Sequence, residues 1–132
     1  MCSLVGDYSL MSPLVGTLYF RLAADGTWYG ANSRVALESG MAINAGTWRA
    51  SGGQVTVTEG PSGATGCPAG AVGTYNVVFA AGCGSMVWTA VTDACVVRSA
   101  AISGQTFVRL GPSMTDAGVA TDAAADASRP DA

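Results

Sequence analysis

The chain has 132 residues, enough for one domain with its own core, and 49% of them are hydrophobic while only 11% are charged. All six basic residues are Arg, set against nine Asp and Glu, so the net charge of −3 offers no basic face for nucleic acid. Histidine and lysine are both absent, which removes the commonest general base together with Ser-His, Ser-Lys and Schiff-base chemistry. No stretch of about 18 apolar residues occurs, so no transmembrane segment is expected.

Met1-Cys2-Ser3 opens the chain in the way a bacterial lipoprotein would if cut at its processing site and given a start Met; the alternative is an ordinary thiol at Cys2. From position 14 to 22, Leu14, Gly16, Leu18, Phe20 and Leu22 alternate with Val15, Thr17, Tyr19 and Arg21, the pattern of a half-buried strand that turns Arg21 outward. Asp25-Gly26 is a hairpin turn leading into Thr27-Trp28-Tyr29-Gly30, and Arg34 to Glu38 reads as a further short extended run. Residues 45–50 and 54–58 flank Ser51-Gly52-Gly53 as a second hairpin, and Gly60 to Gly66, which includes Pro61, is a loop. Val72 to Ala80 and Ser85 to Val91 form a third hairpin about Ala81-Gly82-Cys83. Counted outward from that turn, Cys67 and Cys95 meet near its open end, where a disulfide is expected. Cys83, at the opposite end, is left to Cys2 or free. The stretch 94–103 has room for one short helical turn before a last strand at 105–110.

Residues 111–132 carry no aromatic and almost no large aliphatic side chain, so they read as a disordered Ala/Asp-rich tail or linker. The domain is then residues 1–110. The spacings between the four cysteines contain no short Cys pair of the kind a zinc site uses, so disulfides and an oxidising, exported setting are expected, whether periplasmic, anchored at the outer membrane or extracellular. A meander of eight to ten hairpin-linked strands loses its exposed edges most simply by closing on itself. The expected fold is therefore all-β: an up-and-down antiparallel barrel of about eight strands. An eight-stranded barrel is either filled by side chains or holds one small ligand.

Three details resemble the lipocalin-like, calycin-type domains of bacteria. Gly6-Asp7-Tyr8 stands where lipocalins place Gly-x-Trp at the start of the first strand. Arg109 on the last strand stands where calycins stack an Arg on that aromatic. Gly73-Thr74-Tyr75, then Asp93-Ala94-Cys95-Val96-Val97-Arg98, then Phe107-Val108-Arg109 is similar to the closing segment of small secreted lipocalin-like proteins. The resemblance implies a barrel closed at one end by Tyr8 and Arg109. The Arg-x-Tyr carboxylate site of fatty-acid-binding relatives has no counterpart, because Leu110 and Gly111 follow Arg109.

With neither His nor Lys, what remains for chemistry is carboxylates, cysteines and hydroxyls. No two carboxylates are spaced as an evident pair, and the cysteines lack an activating base. The expectation is a protein that is not an enzyme and uses neither metal nor cofactor. Trp28, Trp48, Tyr75, Phe79 and Trp88 are the candidate lining of a cavity for a small apolar molecule. Asp93 and Arg98 are expected to cap and pair at the turn beside Cys95, a structural role like that of Tyr8 and Arg109. The competing reading is a filled barrel that serves another envelope protein as a partner. Gly16, Ala50, Gly73 and Ala90 are the small residues that would leave room inside for a ligand.

Overall fold

The computed structural model describes residues 2–60 and 67–111. All but the first residue of the expected tail at 111–132 and most of the loop at 60–66 lie outside the described residues. Eight strands follow one another as β1 (Gly6–Ser12), β2 (Gly16–Leu22), β3 (Thr27–Ala31), β4 (Asn44–Ser51), β5 (Gln54–Glu59), β6 (Val72–Phe79), β7 (Ser85–Asp93) and β8 (Thr106–Arg109). Each pairs antiparallel with the next, and β1 pairs with β8 through Tyr8↔Arg109, Ser9↔Val108 and Leu10↔Phe107, so the sheet closes into an up-and-down, lipocalin-like barrel.

Because the strands alternate in direction, the connections fall into two groups. One end carries the turns at 23–26, 52–53 and 80–84 together with the outer ends of β1 and β8; this is the closed end. The other end, the mouth, carries the β1–β2 turn, the helix α1 (Arg34–Glu38), residues 67–71 before β6 and the helix α2 (Val96–Ile102). At the closed end, Gly52 and Gly53 both take positive φ (60° and 79°) between the paired residues Ser51 and Gln54, the backbone that a two-residue hairpin loop needs.

Period-two alternation sends one set of side chains inward. Tyr8, Leu10, Leu22, Trp28, Val55, Val57, Tyr75, Met86, Trp88 and Phe107 form the core. Its centre is aromatic: Trp88 stacks on Phe107 at 4.7 Å, Tyr75 and Phe20 lie 5.6 Å from Trp88 and Phe107 respectively, and Tyr8 meets Phe107 edge-on at 6.3 Å. Arg21 points outward, as its alternation requires, and grips Asp7 of the neighbouring strand with two bonds of 2.8 and 2.9 Å.

Three sequence expectations are corrected. Arg34 to Glu38 is helical rather than extended: the Ala36 N–H donates to Ser33 Oγ at 3.1 Å as an N-cap, and Arg34 pairs with Glu38 one turn on. Leu14 and Val15 belong to the turn before β2, which starts at Gly16. The third hairpin does not run straight out to Cys67 and Cys95. Its ladder ends at Gly73↔Asp93, which places residue 71 in line with 95, and a turn closed by Ala71 N–H on Pro68 O brings Cys67 back. The Cys67–Cys95 disulfide forms all the same, with Cα atoms 5.3 Å apart, at the mouth. Cys2 pairs with Cys83 at the closed end, Cα atoms 5.5 Å apart.

Candidate functional site

A cavity of about 290 Å³ opens at the mouth and runs down into the barrel. Its deep end is made by Tyr8, Leu22, Trp28, Trp88 and Phe107; its upper wall is the inner face of α2, through Ala101 and Ile102. The rim is apolar as well. Leu14 and Val15 on the β1–β2 turn are 54% and 58% exposed, and Val97 on α2 faces them across the opening.

The space comes from small residues on the strand that faces the aromatics. Gly30 is paired with Phe20 on one side and Asn44 on the other, and all three line the cavity. A Cβ at Gly30 would collide with Asn44 Oδ1 and sit 3.1 Å from the Phe20 ring. Ala31 and Ala101 add to the opening. Of the small residues expected to make room, Gly16 starts β2 at an exposed position, Ala50 is exposed, Gly73 is covered by the Asp93 carboxyl and Ala90 packs on the core. Gly30 was the residue missed; it shares a face with Trp28 two positions earlier, and that spacing was the available signal.

The polar groups on the wall are almost all engaged. The Trp28 indole crosses over Gly46, where a side chain would clash, and donates to Thr58 O at 3.1 Å. The Trp88 indole donates to Met86 Sδ at 3.3 Å, and the Tyr8 hydroxyl to Leu4 O at 2.8 Å. Arg98 reaches in from α2 and is, among the described residues, the one charged side chain on the wall. Its Nε and Nη2 bond both oxygens of Asp93 at 2.9 and 2.8 Å, Nη2 also donates to Ala71 O at 3.2 Å, and Nη1 meets Glu59 Oε1 at 3.3 Å. Asp93 further accepts from the N–H of Cys95, the residue that caps α2, and from the Tyr75 hydroxyl.

Glu59 is the member of this cluster that the sequence reading passed over. It continues the inward phase of Val55 and Val57 and is 2% exposed, with no partner for Oε2 among the described residues. Burial raises the Glu59 carboxyl, Arg98 opposes that rise, and the charge on Asp93 adds to it. Burial also pushes on Asp93, but there the bonds from Arg98, Tyr75 and Cys95 N–H win and hold the carboxyl below its ordinary value. Burial and the Asp93 hydrogen bond push the Tyr75 hydroxyl well up, so it stays protonated and donates.

The closed end is built differently. Arg109 lies over the Tyr8 ring, 5.0 Å from its centroid, and donates to the carbonyls of Ser3, Val5 and Cys83 at 2.6, 2.9 and 3.1 Å. Tyr8 is shared by the two ends, because its ring also faces the cavity.

Of the five aromatics expected to line a cavity, Trp28 and Trp88 line this one. Trp48 packs toward the closed end with its indole on Ala23 O at 3.0 Å, Phe79 fills the same half, and Tyr75 lies against Trp88 beneath Asp93; none of these three reaches the cavity. Among the described residues no cluster of His, Cys, Asp and Glu is placed to hold a metal ion, and no helix is long and apolar enough to cross a membrane. Protein-family models, curated proteins and solved structures give no match to this chain.

Proposed function

We propose that the protein is an exported, non-enzymatic carrier or binder of lipocalin-like type, holding one small apolar molecule inside the barrel. The observation that carries this reading is the cavity itself: apolar, opening at the mouth, and lined by Trp28 and Trp88. An engineered protein cavity of about 150 Å³ binds benzene, so one about twice as large that also opens at the mouth suits an apolar compound of two or three rings. Burying such a ligand against aromatic and aliphatic walls supports dissociation constants of about 10 µM.

Two disulfides are compatible with an oxidising compartment. The lipoprotein form and the Cys2–Cys83 bond exclude each other, since both use the same sulfur, and this reading takes the bridged form.

The test is energy transfer from tryptophan to N-phenyl-1-naphthylamine during a titration of the oxidised protein. Saturable one-to-one binding is expected, and it should be lost in Ala101→Phe, which fills the cavity from α2. Absence of saturable transfer, or binding untouched by Ala101→Phe in a folded variant, overturns the reading in favour of a filled barrel that serves as a structural or protein-binding module of the bacterial envelope.

A further inference from the structure

Among the described residues, two polar side chains on the cavity wall have no hydrogen-bond partner. The Tyr8 hydroxyl, the Trp28 and Trp88 indoles and the Arg98 guanidinium are engaged within the protein. Asn32 and Asn44 also line the cavity, and neither side-chain amide has a hydrogen-bond partner among the described residues. Asn32 is exposed at the mouth, whereas Asn44 is half-buried, with its amide against Gly30 inside the barrel.

Arg98 is not available to an acid. A carboxylate is recognised by a guanidinium edge that presents two parallel N–H groups. Asp93 takes the Nε/Nη2 edge, while Glu59 and Ala71 O take one N–H each of the Nη1/Nη2 edge. With both carboxyls ionised, the cluster sums to one negative charge around Arg98. An anionic headgroup brought to this wall would find no paired donor and a net repulsion, and an unpaired ion is costly to bury. A cation would instead meet the guanidinium.

From this geometry we infer that the barrel selects a neutral apolar ligand bearing one hydrogen-bonding group, a carbonyl or hydroxyl, seated on Asn44, and rejects carboxylates of the same shape. The inference rests on the proposed binding function and narrows it to a chemical class. Asn44 is then a specificity-determining residue, and Gly30 is the position that lets its amide lie inward.

The experiment is displacement of bound N-phenyl-1-naphthylamine at pH 7.5 by 2-acetylnaphthalene, by 2-naphthoate, which has the same number of non-hydrogen atoms, and by naphthalene. The ketone is expected to bind at least tenfold more tightly than the acid, and about fivefold more tightly than naphthalene, the worth of one net hydrogen bond. In Asn44→Leu the ratio of ketone to naphthalene affinity should fall to about one. Naphthoate displacing the probe as well as the ketone does, or a ketone-to-naphthalene ratio unchanged in Asn44→Leu, overturns the selection while leaving ligand binding intact. Failure of the wild-type protein to bind the probe at all overturns the binding function and this inference together. The ketone-to-acid comparison uses wild-type protein, so it stands even if Asn44→Leu does not fold.

Discussion

Each end of the barrel is fastened by one arginine and one disulfide, yet the two fastenings solve different problems. At the closed end Arg109 is met by three backbone carbonyls and an aromatic face, with no carboxylate. Two of those bonds lie at the surface, where water can replace them. At the mouth Arg98 is buried against two carboxylates and a carbonyl. Dipoles and a π face are sufficient where water is near. A guanidinium drawn into a cavity wall needs full counter-charges, and those counter-charges then become buried ions themselves. The closed end is therefore tolerant and the mouth is not.

Replacing each arginine by methionine tests that difference directly. Arg98→Met strands Asp93 and Glu59 without their cation, and a loss of about 3–5 kcal/mol is expected from breaking a buried ion pair on one side. Arg109→Met forfeits the stacking and the carbonyl bonds, but the freed carbonyls are rehydrated, so a loss of about 2 kcal/mol is expected. Denaturant unfolding of the two variants measures both; an Arg109→Met loss equal to or greater than that of Arg98→Met breaks the comparison.

The disulfides sharpen it. Cys67–Cys95 closes 28 residues and Cys2–Cys83 closes 81, and chain entropy assigns them about 3.5 and about 4.5 kcal/mol respectively. They should differ in what else they do. Cys95 is the N-cap of α2, and Cys67 lines the cavity. Cys67→Ser/Cys95→Ser is accordingly expected to lower Tm and also to weaken probe binding several-fold. Cys2→Ser/Cys83→Ser should lower Tm and leave binding alone. Melting curves and probe titrations on both pairs decide it, and equal effects on binding would show that the two ends are not independent.

How far the two ends were legible in the sequence follows the range of the interactions that build them. Strand phase and hairpin turns are local, so Leu18-Phe20-Leu22, Asp25-Gly26 and Gly52-Gly53 announce themselves, and an eight-stranded closed meander follows from them. Tyr8 with Arg109 was legible only through resemblance, because the two meet by closure of β1 on β8 across the length of the chain. Asp93 and Arg98 are five residues apart, and their pairing was read correctly as local. The cavity was not legible. Whether Trp48 or Trp28 faces open space depends on the register of β3, β4 and β5 against one another, and no local pattern encodes that Trp28↔Gly46 and Gly30↔Asn44 are the partners. The short helix α1 left a fainter trace, a capping Ser33 before it and Gly40 at φ 77° after it, which five residues of weak amphipathicity did not reinforce.

The smallest expected effect is the most specific to the mouth. Glu59 and Asp93 share one arginine, but their carboxyls are shifted in opposite directions, so they respond to pH with opposite sign. Asp93 lies below its ordinary value of 3.8, so its stabilisation is present above that pH and is lost as pH falls through the lowered value. Glu59 lies above its ordinary value of 4.5, so the fold favours its protonated form; its contribution is complete below 4.5 and is lost as pH climbs through the raised value. Glu59→Gln fixes the neutral form, keeps an acceptor for Arg98 and leaves Asp93 as the counter-charge. The variant should therefore melt a few degrees above the wild type at pH 8, with the gap closing as pH approaches 4. A variant less stable at pH 8 would mean that Arg98 requires both carboxylates in their charged form.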